Sequence, residues 1–374
     1  MVAPTIERWC AMTLTTRIAL TFALTAVALT PTFADEAHFN NGSILAQLPT
    51  SPERIASAVP SNGDGNPYGV AFVPQGFAEG GPLEPGDILV SNFNSNSGFQ
   101  GTGTTIVSIA PNGKVSTFFQ GQAPLGLTTA LGVLRGGFVL VGNVPTINNG
   151  ATAEQGSLLV IDRFGHLVTT LANSTLLDGP WDLTVNDLGS FAQVFVSNVL
   201  NGTITRLNVF VGDGNFHVLG ATQIAHGYAF APNSAAVVVG PTGLAYNPFT
   251  GLLYVASTDD NAIFAIPFAA ITNKDENKGV LVYQDNTHLH GPLGLALAPN
   301  GNLITANGDA VFAGGTQNAL VEFTQFGKFV AQYQVDPGAP GAAFGLAITG
   351  DLFNIRFAAV NDNQNQLDIW NVHE

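Results

Sequence analysis

The residues best placed to do chemistry are few. Asp182 lies in GPWDLT, where sibling segments carry glycine, and a carboxylate near apolar neighbours must be hydrated, paired or metal-bound. It is a candidate ligand or general base. His288 and His290 lie one residue apart in DNTHLHGPLG beside Asp285, so in an extended segment their rings point the same way. With Asp182 or His226 opposite, they form a candidate site for zinc or another divalent ion. H-x-H without a spaced third ligand also describes an ordinary surface loop, and that alternative stands beside the metal site. Asn62-Gly-Asp64-Gly-Asn66 mimics the start of a calcium loop, but Pro67 follows and no bidentate Glu closes it. Asp259, Asp260 and Asp362 lie in turns and are further cation candidates. The Gly-x-Ser-x-Gly elbow, the P-loop and the dinucleotide fingerprint are all missing.

These residues must be positioned by a chain with an unusual composition. Of 374 residues, 10% are charged and 46% hydrophobic, with 43 glycines and 21 prolines. About 25% charged is usual for a folded domain, so coiled coils and charge-rich disorder are excluded. Acidic groups outnumber basic ones 26 to 11, which argues against a nucleic-acid partner.

Residues 1–34 read as a secretory signal peptide. Arg8 and Arg17 flank an apolar run from Ile18 to Thr30, and Thr32 and Ala34 set up cleavage before Asp35. The run is too short to span a bilayer comfortably, and translation could start at Met1 or Met12. Cleavage removes Cys10, Arg8, Arg17 and Glu7, leaving 9 basic and 25 acidic groups, a net charge of −16. The expected product is a secreted or periplasmic, cysteine-free chain with no further membrane span. Residues 35–51 are expected to be an N-terminal extension and 52–374 one domain.

An internal repeat sets the fold. The segments PYGVAF, ALGVL, GPWDLT, GPTGLAY, GPLGLAL and AFGLAI align on Gly69, Gly132, Asp182, Gly243, Gly294 and Gly345, spaced 50–63 residues apart. That period fits one four-stranded unit, and each copy continues with further β-branched runs such as DILVSN, TTIVSI and KVSTFF. The expected fold is an all-β, six-bladed propeller with four antiparallel strands per blade. The last copy lacks a fourth strand. ERIASAVP, about residues 53–60, is expected to supply it by pairing with NQLDIWNV, closing the ring and removing exposed edges. Such a ring needs no oligomeric partner, so a monomer suffices.

Residues preceding the aligned positions are Tyr68, Leu131, Trp181, Thr242, Leu293 and Phe344. They form either an apolar ring that binds a ligand at the channel mouth or inter-blade packing. Ala221 to Val239 is extra material between the third and fourth copies. It is a lid that brings His226, Tyr228 and Phe230 to the channel, or an elaborated edge hairpin. The repeated Asn92, Asn143, Asn198, Ser257, Asn307 and Asn361 are read as turn residues that bond their own backbone.

GPTGLAYNPFTGLLYVASTDDNAIFAI and GPLGLALAPNGNLITANGD resemble NHL-type repeats of the six-bladed propeller superfamily, whose relatives include gluconolactonase-like and TolB-like proteins. The resemblance covers about residues 52–374. It implies the fold, but binding, hydrolase, lyase and scaffold roles share it. In gluconolactonase-like enzymes an early Glu, an Asn and an Asp hold a divalent cation, and no copy here has a Glu before its Gly-Pro turn. The lyases of this architecture use clustered histidines, a pattern not evident here. Two functions follow as expectations. One is a binding module for a small molecule, glycan or protein at the channel mouth, with Tyr68, Trp181, Asp182, Tyr228 and Phe344 as candidate contacts. The other is a metal-dependent, lactonase-like hydrolase or lyase in the central channel.

Overall fold

A computed structural model describes residues 42–212, 214–308, 312 and 318–373. The expected signal peptide, its cleavage site, Cys10 and His38 lie outside the described residues.

Six four-stranded antiparallel sheets follow one another, each running from an inner to an outer strand in chain order. Blade 1 uses Gly65–Phe72, Ile88–Asn94, Thr105–Ile109 and Val115–Gln120. The inner strands of the next four blades are Leu127–Leu134, Pro180–Asp187, Pro241–Asn247 and Pro292–Leu297. Blade 6 supplies Leu346–Gly350, Asn354–Asn361 and Gln366–His373, and takes its outer strand, Arg54–Ser57, from the other end of the domain. Arg54 pairs with Ile369 and Ser57 with Gln366, so the ring closes where the sequence pattern places it. Each inner strand touches the inner strands of both neighbours, the sixth touching the first.

Why glycine recurs on the inner strand is clear from these contacts. A Cβ on Gly345 would lie 2.0 Å from the Tyr68 carbonyl oxygen, and one on Gly243 would lie 2.2 Å from that of Leu293. The strands converge too tightly for a side chain at those places. The ladders also correct one alignment. Val70 faces Val90, Leu131 faces Val141 and Leu183 faces Val196, each partner two residues before the repeated Asn. The blade 2 counterpart of Gly69 is therefore Ala130 rather than Gly132, and that of Tyr68 is Thr129 rather than Leu131. The inner strands of blades 1 to 5 all bulge at this place, and blade 2 takes one residue more between Leu127 and Leu131 than blade 1 does between Pro67 and Val70.

The repeated Asn series is a set of latches, and its partners differ from those expected. Asn92 Nδ2 donates to the Ala58 carbonyl, Asn198 Nδ2 to that of Leu176, and Asn307 Nδ2 to that of His288. Asn143 Oδ1 accepts from the Gly126 N–H. These four side chains hold the chain entering their blades, whereas Ser257 donates to Asp260 and Asn361 to Asp368 within their own blades.

Residues before the propeller proper are docked on it. Ile44, Leu45 and Leu48 pack into a cluster with Phe357 and Trp370. The buried Glu322 carboxylate accepts from the Ile44 and Leu45 N–H groups, the Ser43 hydroxyl and the Asn302 amide. Four donors offset its removal from water.

Candidate functional site

The inner strands surround a channel along the propeller axis. Its upper end is where these strands begin, and its lower end is where they turn into the second strands. The upper end is filled. Tyr68 stacks on Phe93 with ring centroids 5.0 Å apart, and Phe344 lies 4.7 Å from Tyr68. Trp181 packs edge-on against both Tyr68 and Phe93. Leu293, Val144, Val199, Val237 and Val238 complete this cluster, and all are buried. Tyr68, Trp181 and Phe344, read as either mouth lining or packing, are thus placed in an apolar plug.

Asp182 sits just beneath it, at the end of a cavity of about 380 Å³ that opens downward between Phe72, Val133, Tyr246 and Ile348. Among the described residues no other Asp, Glu, Lys, Arg or His lines that cavity. The carboxylate accepts from the Leu183 N–H at 2.7 Å and from the Leu244 N–H of the next blade at 3.3 Å. Burial pushes it well above the usual carboxylate range, and the two N–H groups only partly oppose that. Beside it, Ser197 Oγ accepts the Asp182 N–H and donates to the Thr242 carbonyl. Where blades 1, 4, 5 and 6 press glycine against a neighbouring carbonyl, blade 3 bridges to blade 4 with a carboxyl strut.

The histidines are committed elsewhere. His226 ends the outer strand of blade 3 and pairs through Nδ1 with Asp275 at 2.7 Å. His288 Nδ1 meets Asp285 Oδ2 at 2.5 Å, and the His288 ring stacks on Phe329. Burial alone would raise Asp285, but bonds from His288, the Thr287 N–H and Tyr283 outweigh it and hold the carboxyl low. His290 is buried, with Nε2 3.3 Å from the Thr287 carbonyl oxygen. Among the described residues no group of three or more His, Cys, Asp or Glu is arranged to hold a metal. The proposed set of Asp182, His226, His288 and His290 is not brought together. Asp64 is also spoken for, accepting from Thr104 and Thr105. Asp260 is held by Lys278, Ser257 and the Ala229 N–H. Burial raises Asp362 to about 7, and Asp259 in the same direction.

The segment Ala221 to Val239 divides. Its first part completes the outer strand of blade 3, and Ala231–Asn233 with Val237–Val239 forms a hairpin. Val237 and Val238 of that hairpin enter the plug. Tyr228 is buried, donates to the Lys278 carbonyl and packs on Phe264, away from the axis.

Two other departures from the minimal blade meet this hairpin at the upper rim. In blades 3, 4 and 6 the second and third strands are joined by about four residues, whereas blade 1 uses the 95–104 loop and blade 5 the 308–318 connection, which lies largely outside the described residues. Blade 2 inserts the hairpin of Thr146–Ile147 and Thr152–Ala153. Thr146 N–H donates to the Gly101 carbonyl and Thr146 Oγ1 to that of Gln100, while Gln100 Nε2 donates to the Ala235 carbonyl at 2.9 Å. Gly150 has φ +85°, and a Cβ there would lie 2.9 Å from Gln100 N, so the hairpin tip fits only as glycine. Together the three insertions enclose a groove of about 510 Å³ lined by Phe99, Gln100, Asn149, Asn233, Ser234 and Val237, among others. Sequence reasoning marked only the third insertion. The unequal lengths of the second-to-third connections were the available signal.

Comparison with known proteins matches this geometry at the level of fold. No protein-family model matches the sequence, and no curated protein does. Among solved structures, a calcium-binding regucalcin from Agrobacterium tumefaciens shares 15% identity over 85% of this chain and 94% of that one, with a TM-score of 0.51. A gluconolactonase from Xanthomonas campestris shares 14% over 87% and 97%, with a TM-score of 0.46. The chain is a six-bladed β-propeller of that architecture.

Proposed function

We propose that the protein is an exported interaction propeller that binds its ligand at the upper rim, in the groove built by the three insertions. The observation carrying this reading is their convergence. Three separate elaborations of the repeat lock onto one another and enclose one cavity. Long connections held on a rigid scaffold are where propellers and other folds place binding surfaces. The groove's volume falls within the roughly 300–1,000 Å³ range of small-molecule sites.

The lactonase-like alternative needs a divalent cation in the channel. The upper channel is occupied by Tyr68, Phe93, Trp181 and Phe344, and among the described residues Asp182 is the one carboxylate lining the cavity below. That donor set does not fit a cation, which takes several hard oxygen or nitrogen ligands.

Two assays separate the readings. In a thermal-shift screen of polysaccharides, metabolites and peptides, a groove ligand raises Tm by mass action, and Phe99→Ala abolishes the shift. Hydrolysis of gluconolactone, with and without added Ca²⁺ or Zn²⁺, is expected at the buffer rate. A metal-dependent rate lost in Asp182→Asn would overturn the binding reading in favour of the hydrolase.

A further inference from the structure

We infer that the upper groove recognises a neutral oligosaccharide, with Phe99 as the stacking platform and Asn149 and Ser234 as hydrogen-bonding contacts. The inference rests on the binding reading above and names its ligand class.

Among the described residues the groove has no Asp, Glu, Lys, Arg or His in its lining. A phosphate, a carboxylate or an ammonium group entering it would lose water and gain no charged partner, which is costly. Strongly ionic ligands are therefore disfavoured. A purely apolar ligand is disfavoured for the opposite reason, since it would cover amide and hydroxyl groups without bonding them. The Asn149 amide and the Ser234 hydroxyl have no partner within the described residues, so both remain available to a ligand. Asn149 holds φ +57° at the tip of the blade 2 hairpin, which presents its side chain from a fixed turn.

What these groups match is a molecule dense in hydroxyls. An amide offers both donor and acceptor and a serine hydroxyl does the same, so each can meet a sugar hydroxyl whichever way its proton turns. Sugar rings also have apolar C–H faces, and Phe99 is 40% exposed at the groove. Aromatic rings supply large, rigid contact area at low entropic cost, while Asn, Ser and Gly supply adaptable hydrogen bonds. Peptides share the bifunctional amide but bring charged termini and side chains for which the groove has no counterpart.

The groove is also preorganised. Gln100 bridges to Ala235, Thr146 ties the blade 2 hairpin to the blade 1 loop, and Asn233 Oδ1 accepts from the Ala235 and Ala236 N–H groups. Ordering three loops at the moment of binding would cost affinity, and these bonds meet that cost in the folded protein.

The test is calorimetric titration of the full propeller with neutral hexasaccharides (maltohexaose, cellohexaose, laminarihexaose, mannohexaose, chitohexaose). Oligogalacturonate, heparin hexasaccharide and a mixed decapeptide library serve as comparisons. At least one neutral hexasaccharide is expected to bind saturably. Phe99→Ala should weaken it at least tenfold and Asn149→Ala at least threefold. Affinity should change less than twofold between 50 and 500 mM salt, because no charge pair is there to screen. Phe249→Ser, on the opposite end of the propeller, should leave it unchanged. Failure of every neutral hexasaccharide to bind overturns the inference. Binding confined to the acidic sugars or the peptides, and lost in Phe99→Ala, also overturns it but leaves the groove as a binding site. Binding that is indifferent to both groove variants overturns the ligand class and the site together.

Discussion

The two ends of the channel are built from the same repeat and have opposite surfaces. At the upper end three lengthened connections interlock, and aromatic side chains from blades 1, 3 and 6 meet in a cluster on the axis. At the lower end the turns in blades 2 to 6 are mostly short and the cavity opens between them. Large apolar side chains stand out into solvent there. Phe249 is 97% and Phe326 88% exposed, and Phe164, Leu188, Phe268 and Phe353 stand with them. Phe164 and Phe326 each precede a glycine of positive φ in a tight third-to-fourth-strand turn. The contrast shows where a propeller can vary. Long connections occur at both ends, 73–87 and 267–279 among the lower ones, and this chain uses the upper ones to seal the axis and build a groove.

The largest expected effect is at the seal. Trp181→Ala removes the broadest member of the plug and leaves a cavity among Tyr68, Phe93 and Phe344. Truncations of this kind cost about 3–5 kcal/mol. Chemical denaturation should show the loss, together with a Tm lowered by roughly 5–10 °C. Trp181→Phe sharpens the point. The buried indole N–H has no acceptor among the described residues, so replacing it removes an unmet donor while keeping most of the ring. That variant should cost under about 1.5 kcal/mol. Equal losses in the two variants would mean that packing is not what the tryptophan contributes.

The same contrast explains how much could be read in advance. Blade number, strand order and ring closure were legible because they are written in short-range patterns: apolar runs, glycines where strands converge, and an unpaired last copy. The alignment failed at ALGVL because the one extra residue in the blade 2 bulge between Leu127 and Leu131 leaves no local mark, and alanine stands at Ala130 in place of glycine. Whether Tyr68, Trp181 and Phe344 line a pocket or fill it was open, since both settings select apolar side chains. His226, His288 and Asp182 look alike as isolated polar residues. The register assigns them to an outer strand, an inter-blade loop and the axis. The groove was least legible. Gln100 and Ala235 are 135 residues apart, and only the folded ring shows that their loops touch. Glu322 is buried and accepts from the N–H groups of a segment 277 residues away, a pairing that short-range pattern cannot carry.

A middle-sized effect is expected just beneath the seal. Asp182 holds its proton above the ordinary carboxylate range in the folded state because burial disfavours the charge. The folded protein therefore binds that proton more tightly than the unfolded chain. The stability it contributes is present below about pH 4 and is lost as pH rises toward the folded value. One proton changes stability by at most about 1.4 kcal/mol per pH unit. Asp182→Asn keeps the shape and removes the titration, so the wild type's stability relative to the variant should fall as pH increases. Parallel denaturation curves from pH 4 to 8 measure the difference. A constant difference would mean that Asp182 is hydrated from the lower channel and titrates as an ordinary carboxyl.

The smallest effect belongs to the lower rim. Phe249 and Phe326 sit at turn tips whose conformation is set by Gly251 and Gly327, with φ of +71° and +82°. Their rings cover little, so serine at either position should change stability by no more than about 0.5 kcal/mol. Surface behaviour is where they should count. Each replacement removes an exposed ring, and the Phe249→Ser/Phe326→Ser double variant should elute earlier from a hydrophobic-interaction column at unchanged Tm. A loss above about 1.5 kcal/mol would show that these rings pack on neighbouring turns, and the two ends of the channel would then differ less than their exposed surfaces suggest.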